Sequence, residues 1–233
     1  MIRARGTRVL ASLIGIILSA CGAGDSSASQ PDAATQPVSQ AAAQPASSAD
    51  PSAGGGQTFS VASGSTATVS VREQLARLPA PSDAVLRTNS VTGTFTVRPD
   101  GSFASASKIT VDLRTLTSDQ SQRDRFIMMN PLETSRYPTA EFVPTRAIGL
   151  TFPLPTTSDE TFQLTGTMTI HGTSKSVTFD VVARSTGTGV RATATANPTF
   201  KFEDFGMKPP SAAVVLSVVD EVKLQMDITA SQQ

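Results

Sequence analysis

The only histidine of the chain, His171, lies in the segment TGTMTIHGTSKSVTFDV (165–181), beside a glycine, a serine and a lysine. An imidazole near Ser174 and Lys175 raises the question of acid–base or nucleophilic catalysis, because its charge changes near neutral pH. Apolar and polar residues alternate on both sides of it, however, and Gly172 interrupts the alternation. The segment therefore predicts a β-hairpin with His171 at its corner, where a ring nitrogen bonds to loop backbone.

Other chemical motifs are lacking. The sequence contains no G-x-S-x-G, H-E-x-x-H or C-x-x-C motif. Asp204-Phe205-Gly206 stands without the other kinase motifs, and Gly187-Thr188-Gly189 lacks a third glycine and a following helix. One histidine and one cysteine disfavour a metal site, and 19 basic against 19 acidic residues disfavour nucleic-acid binding. We expect no catalytic residues, no cofactor and no metal.

The N-terminus predicts export and lipidation. Arg3, Arg5 and Arg8 precede an apolar run of about ten residues, which is typical of a signal peptide and too short to span a membrane. The run ends in Leu18-Ser19-Ala20-Cys21, which resembles a bacterial lipobox. We therefore expect a signal peptide over 1–20 and a diacylglyceryl-modified Cys21 that anchors the protein in a membrane of the cell envelope, facing the periplasm or the outside of the cell.

Residues 21–56 predict a tether. Gly22 to Gly56 consist mostly of Ala, Ser, Gln, Pro and Gly, with Val38 as the one large aliphatic residue. Such a segment buries too little surface to offset its chain entropy. Removal of the signal peptide would leave 16 basic and 19 acidic residues, a net charge of −3. Because Cys21 is the only cysteine, the folded part has no disulfide to rely on.

Residues 57–233 predict one all-β domain. Apolar residues alternate with polar ones in SVTGTFTV, KITVDL, FQLTGTMTI and SVTFDV, and again at 214–228, where Asp220 falls in the apolar phase and predicts a bulge. Further strands are expected at 58–62, 66–73, 138–148 and 189–200. This pattern is typical of a sandwich or an antiparallel barrel. Residues 117–130 predict one helix, with Ser118 as its N-cap, and residues 72–78 a helical turn.

Four blocks resemble a known family: SVTGTFTVRPDGSF (90–103), residues 109–142 with Tyr137-Pro138, LTGTMTIHGTSKSVTFDV (164–181) and FKFEDFGM (200–207). In this order and spacing they are similar to the YceI-like family of exported lipid-binding proteins. The resemblance implies an extended eight-stranded antiparallel, lipocalin-like barrel with one short helix, whose apolar lumen binds an isoprenoid chain such as a polyprenyl phosphate or a quinone. It also implies a possible homodimer.

Inward-facing positions supply the candidate ligand-binding residues. With the resemblance, these are Phe95, Phe142, Phe162, Leu164, Met168, Phe179 and Phe205. Gly93 and Gly166 share the inward phase, and we expect them to keep a tunnel open by removing side-chain volume. Candidate partners for a phosphate head group at the mouth are Arg123, Arg125, Arg136 and Lys201.

Two functions remain open. The first is a membrane-anchored protein that carries or sequesters an amphiphilic isoprenoid-type lipid in the lumen. The second is a non-carrier envelope module, with a barrel filled by side chains and an outer face that binds a protein partner. A lumen blocked by side chains would favour the second function, and an apolar tunnel the first.

Overall fold

Alternating apolar residues build a sheet that curls into a barrel. The computed structural model describes residues 55–233, which contain one α-helix, α1 (Ser121–Met129), and two short 3₁₀ helices at Leu113–Thr115 and Phe202–Phe205. Ten strands make up the sheet: β1 (Gln57–Val61), β2 (Thr66–Leu75), β3 (Ser82–Thr88), β4 (Val91–Val97), β5 (Lys108–Asp112), β6 (Thr139–Ile148), β7 (Glu160–Ile170), β8 (Thr173–Ser185), β9 (Gly189–Ala196) and β10 (Val215–Gln232).

The ten strands form an eight-stranded closed antiparallel barrel, as the family resemblance predicts. β1 and β2 both pair with β10, β1 through Val61 and Ala230 and β2 through Thr66 and Asp227. They are therefore two segments of one barrel strand, interrupted at residues 62–65. β4 pairs with β1 and β3 with β2, so these form the next barrel strand, interrupted at residues 89–90. β5 to β9 follow in order, and β9 returns to β10.

The buried Ser65 stabilises the junction of β1, β2 and β10 at residues 62–65. Ser65 is 1% exposed. Its hydroxyl lies 2.9 Å from the Ala62 carbonyl oxygen and 3.1 Å from that of Thr229, and it accepts the Thr229 backbone N–H at 3.0 Å. Backbone groups that the interruption leaves without sheet partners are thus satisfied inside the wall, where an unpaired group would be costly.

Asp220 explains an irregularity in β10. The pairing with β2 shifts between Val218–Glu73 and Val222–Val71, so the bulge predicted around Asp220 is confirmed. Asp220 Oδ1 accepts the backbone N–H of Phe202 at 2.9 Å. The carboxylate in the apolar phase therefore fixes a 3₁₀ helix instead of entering the core. The apolar phase predicted from residue 214 is wrong at Val214 and Leu216, which are exposed, but it holds at Val218, which packs against the core.

The helix lies within the predicted span, but its start differs. The N-cap residue is Gln120, not Ser118. Ser118 instead donates its hydroxyl and backbone N–H to Oδ1 of the buried Asp124, at 2.6 and 2.9 Å. The helical turn predicted at residues 72–78 is wrong: β2 continues to Leu75, because its pairing with β3 and β10 outweighs the helix-forming residues of this segment. None of the helices in residues 55–233 could span a membrane.

The hairpin predicted at His171 is confirmed. Ile170 pairs with Thr173, so only His171 and Gly172 connect β7 to β8. Their φ angles are 52° and 73°, as a type I′ turn requires at both central positions. The ring of Tyr137 lies against this turn, 4.4 Å from the His171 ring between centroids. A Cβ on Gly172 would come within 2.9 Å of Tyr137 Cε1.

We predict that Gly172→Ala destabilises the protein more than Gly187→Ala. Both glycines have positive φ, and a Cβ on Gly187 would meet nothing within 4 Å. Gly187→Ala should therefore lower the free energy of unfolding only through backbone strain at positive φ, by about 1–2 kcal/mol. Gly172→Ala should lower it by the same backbone strain and, in addition, by the disturbed packing of Tyr137. Chemical denaturation measures both free energies of unfolding, and equal losses would contradict a close contact between position 172 and Tyr137.

Candidate ligand-binding cavity

One end of the barrel contains an apolar cavity of about 370 Å³. It lies where β1 and β9 begin and where β4, β8 and β10 end, as Gln57, Val97, Ser185, Gly189 and Gln232 all line it. The volume falls in the range of small-molecule sites, about 300–1,000 Å³. We call this space the main cavity and its open end the mouth.

The main cavity brings together five of the seven predicted binding residues. Phe95, Phe142, Phe162, Leu164 and Phe179 line it from four different strands. The burial of inward-facing side chains along β7 increases with distance from the mouth. Phe162 and Leu164 are half-buried near the mouth, whereas the inward residues from Gly166 to Ile170 are buried. These five residues face one shared apolar space.

The other two predicted residues lie elsewhere. Met168 lines a second cavity of about 60 Å³ deeper in the barrel. Phe205 lines neither cavity and is completely buried, with its ring 5.1 Å from that of Phe200 in an edge-to-face contact. Phe205 therefore packs into the end of the barrel opposite the mouth.

The segment around Phe205 is held by Asp204. Its Oδ2 accepts the backbone N–H of Lys201 at 2.8 Å, and its Oδ1 accepts Lys175 Nζ of β8 at 2.8 Å. The hydrogen bond from Lys175, with that from the Lys201 backbone, holds the pKa of the Asp204 carboxyl below its usual value. Gly206, with φ 68°, ends the 3₁₀ helix. In this segment Asp204 caps the 3₁₀ helix, Phe205 packs in the core, and Gly206 ends the helix in a left-handed conformation.

Small residues on β8 and β9 create the main cavity. Ala183 pairs with Ala192, and Val181 with Ala194, and all four line the space. Large side chains at these inward positions would fill it. Sequence reasoning missed this wall, because alanines in polar surroundings carry a weak strand signal. Their alternation with Arg191, Thr193 and Thr195 was the available clue.

The two glycines predicted to hold a tunnel open have a different role. A Cβ on Gly166 would come within 2.5 Å of Phe142 Cζ, so this glycine makes room for the Phe142 ring. A Cβ on Gly93, which has φ 145°, would come within 2.1 Å of the Lys108 carbonyl oxygen on the neighbouring strand. Both positions reflect close packing, and the expectation that they leave empty lumen is wrong.

The connection between β6 and β7 supplies a part of the site that sequence reasoning did not assign. Leu150, Phe152, Pro153, Leu154 and Thr156 line the mouth side of the main cavity. The Pro155 carbonyl oxygen accepts the backbone N–H of Ser185 at 2.9 Å, which fastens the connection to the end of β8. The alternation of Leu150, Phe152 and Leu154 was a usable signal, because it repeats the inward period of a strand.

Within residues 55–233, no charged residue lines the main cavity; the polar residues of the lining are Gln57, Thr156, Ser185 and Gln232, with glycines. Of the cations near this end, Arg98 donates to the Phe103 carbonyl oxygen at 2.9 Å, and Arg184 lies 3.7 Å from Asp159. An uncharged rim thus surrounds an apolar interior.

The four predicted head-group cations lie away from the mouth. α1 belongs to the connection between the end of β5 and the start of β6, at the opposite end of the barrel. There Arg123, which is largely buried, pairs with Glu73 at 2.8 Å and with Asp119. Arg125 is exposed on α1, and Arg136 covers the Tyr137 ring. Lys201 Nζ lies 3.7 Å from Glu203. None of these cations lines the main cavity.

His171 shares that opposite end. Its Nε2 is buried, has no hydrogen-bond partner among residues 55–233, and lies 3.5 Å from Glu133 Oε1. The expected hydrogen bond to loop backbone is not made by Nε2; the ring packs on Tyr137 instead. Within residues 55–233, no three His, Cys, Asp or Glu side chains are grouped so that they could hold a metal ion.

Sequence comparison defines the class of protein. A model of the YceI-like domain matches residues 59–230, so the chain belongs to the YceI-like family. UPF0312 proteins of Pseudomonas putida and Pseudomonas fluorescens are 37% and 34% identical to it over 126 and 124 residues. These alignments cover 48% of this chain and 62% and 61% of those proteins. The chain thus spans about three fifths of the length of these curated relatives.

Solved structures share the fold. A polyisoprenoid-binding domain from Saccharophagus degradans, implicated in plant cell wall breakdown, superposes with a TM-score of 0.59 at 13% identity, covering 75% of this chain and 98% of that chain. BcnA of Burkholderia cenocepacia gives a TM-score of 0.51 at 17% identity, covering 71% of this chain and 96% of that chain. At these identities the likeness concerns the barrel and not the ligand.

Proposed function

We propose that the protein binds an amphiphilic isoprenoid-type lipid, with the chain in the main cavity and the head group at the mouth. The observation that carries this proposal is an apolar space of about 370 Å³ at one barrel end, whose lining contains no charged residue from the part of the chain that the structure describes. The Saccharophagus neighbour is a polyisoprenoid-binding domain, which supports the same ligand class. The proposal assigns binding and not catalysis, and a role as carrier or sequestering protein.

The cavity favours a slim apolar chain on energetic grounds. Burial of apolar surface contributes about 25 cal/mol per Å², so a chain that buries roughly 300 Å² gains on the order of 7 kcal/mol before the costs of ordering. Phe95, Phe162 and Leu164 are half-buried in the described structure, so the lipid would also remove their apolar surface from water. A barrel filled by side chains, as the protein-binding alternative requires, would not leave this space.

The lining also favours an uncharged head group. Of the two ligand classes that the family resemblance implies, a quinone places only carbonyl and ether oxygens at the rim. Gln57 and Gln232 carry amides, and Ser185 and Thr156 hydroxyls, which suit such acceptors. A phosphate would lack a cation from the cavity lining.

Membrane attachment is a further part of the proposal. Cys21 and the segment before it lie outside residues 55–233, so this part rests on the sequence. Two or three acyl chains on Cys21 would hold the protein stably at the membrane. Residues 21–56 would give a tether with a span of about 30–35 Å, so the barrel could meet the membrane from which a lipid is taken. Homodimer formation stays a prediction from the family resemblance.

We predict that Ala192→Phe abolishes or strongly weakens lipid binding. Ala192 is half-buried on the cavity wall, so a phenyl ring there would occupy the space without displacing core side chains. Thr195→Phe, which places the same ring on the outer face of β9, is the control. Titration with a prenyl quinone should show at least about tenfold weaker binding for Ala192→Phe alone. Equal binding by both variants would place the lipid outside the cavity.

A second prediction concerns the head group. At equal prenyl length, a quinone should bind at least about tenfold more tightly than a monophosphate, because no lining cation compensates the phosphate charge. Competition between the two lipids, read by native mass spectrometry, measures the ratio. Tighter binding of the phosphate would contradict the neutral-head-group part of the proposal and leave the choice of cavity intact.

A third prediction concerns Cys21. Cys21→Ser should move the protein from the membrane fraction to the soluble fraction and remove the acyl mass from the mature N-terminus. Ser26→Ala, which leaves the cysteine in place, should stay with the membrane. Intact-protein mass spectrometry reads both variants. A Cys21→Ser protein that stays in the membrane fraction would show that another element anchors it.

A further inference from the structure

The main cavity and the second cavity of the lumen share part of their wall. The main cavity, of about 370 Å³, opens at the mouth, and the second, of about 60 Å³, lies deeper. Ile109, Phe142 and Met226 line both of them. These three side chains therefore stand between the two spaces, and we call them the waist.

The waist reaches across the barrel from two sides. Ile109 and Phe142 pair directly on the neighbouring strands β5 and β6. β10, which carries Met226, is four positions from β6 around the eight-stranded ring, so Met226 faces Phe142 from the opposite wall. All three side chains are at least 92% buried.

The Phe142 ring is held in place on two sides. Its centroid lies 5.0 Å from that of Phe179 in an edge-to-face contact. On another side, the missing side chain of Gly166 leaves the space that the ring occupies, since a Cβ there would come within 2.5 Å of Phe142 Cζ. These two contacts thus fix the orientation of the Phe142 ring in the lumen.

The second cavity is too small to hold a ligand by itself. At about 60 Å³ it is less than half of the roughly 150 Å³ apolar cavity that accepts benzene. Its lining includes Met168, Ile170, Leu113 and Leu224. Joined to the main cavity, it would accommodate the end of a chain whose remainder lies above the waist.

We propose that Ile109, Phe142 and Met226 end the ligand cavity and set the longest isoprenoid chain that the protein accepts. This inference rests on the proposed function. The polar rim holds the head group at the mouth, so the tail points inward and its end meets the waist. Removal of a waist side chain joins the two spaces, and the joined cavity accepts a chain longer by about one isoprene unit. Since burial of about two more methylene groups changes affinity tenfold, the preference should shift measurably.

Met226→Ala tests the waist, with Met168→Ala as its matched control. Both variants shorten a buried methionine, 6% and 3% exposed, and both enlarge the second cavity, but only Met226 lines the main cavity as well. Phe142→Leu is a second waist variant that keeps an apolar side chain. Thermal unfolding checks that each variant is folded.

The purified full chain, freed of lipid, is incubated with an equimolar series of all-trans prenols of increasing length, and the bound prenols are quantified by mass spectrometry. Met226→Ala and Phe142→Leu should raise the ratio of longer to shorter prenols about tenfold over wild type, while Met168→Ala leaves it unchanged. An unchanged ratio in the folded waist variants overturns the inference, as does an equal shift in Met168→Ala. A wild-type protein that takes up no prenol overturns the proposed function and the inference together.

Discussion

Every property of this barrel depends on closure of the ring between β10 and the interrupted strand formed by β1 and β2. β10 is 18 residues long and pairs with β9 along one edge and with both β1 and β2 along the other. An open sheet would leave a row of unpaired backbone groups and an apolar face in water. Closure satisfies those groups, turns the apolar residues inward, and encloses a volume that side chains fill only in part.

Side-chain size determines where that volume is filled. At the end opposite the mouth, Phe202, Phe205 and Met207 close the lumen, and the Asp204 carboxylate and Gly206 hold the chain that carries them. Toward the mouth, alanines on β8 and β9 take the corresponding inward positions. The same closed ring therefore gives a packed core at one end and a binding space at the other.

Sequence patterns predicted the strands well where the two faces of a strand meet different environments. FQLTGTMTI and SVTFDV became β7 and part of β8, and the hairpin at His171 followed from its glycine. The break between the strands predicted at 58–62 and 66–73 is confirmed by β1 and β2. That both segments pair with β10 as one barrel strand could not be foreseen, since it depends on contacts such as the hydrogen bond from Ser65 to Thr229, 164 positions along the chain. The helical turn at 72–78 failed because pairing in the sheet outweighed local propensity.

For the site, periodicity identified inward residues but not how far along the barrel each one lies. Phe162 and Phe205 are equally apolar in sequence, yet one borders open space and the other is fully enclosed. The prediction of head-group cations at the mouth was wrong for a related reason. The barrel end at which a loop lies depends on the order and direction of the strands, which the local sequence does not give. The alanines of β8 and β9 that line the cavity were missed because their contribution is the small size of the side chain and not a contact that the side chain makes.

The interruptions at residues 62–65 and 89–90 lie side by side in the wall, where Thr66 Oγ1 is 3.1 Å from Asn89 Oδ1. They lie near the level of the waist, because Ala67 pairs with Met226. The barrel is thus divided into two tiers, with β2 and β3 around the filled one and β1 and β4 around the cavity. Side chains pack the first tier and leave space in the second, so substitutions at half-buried positions around the cavity can fit a different ligand with less disturbance of the packed core.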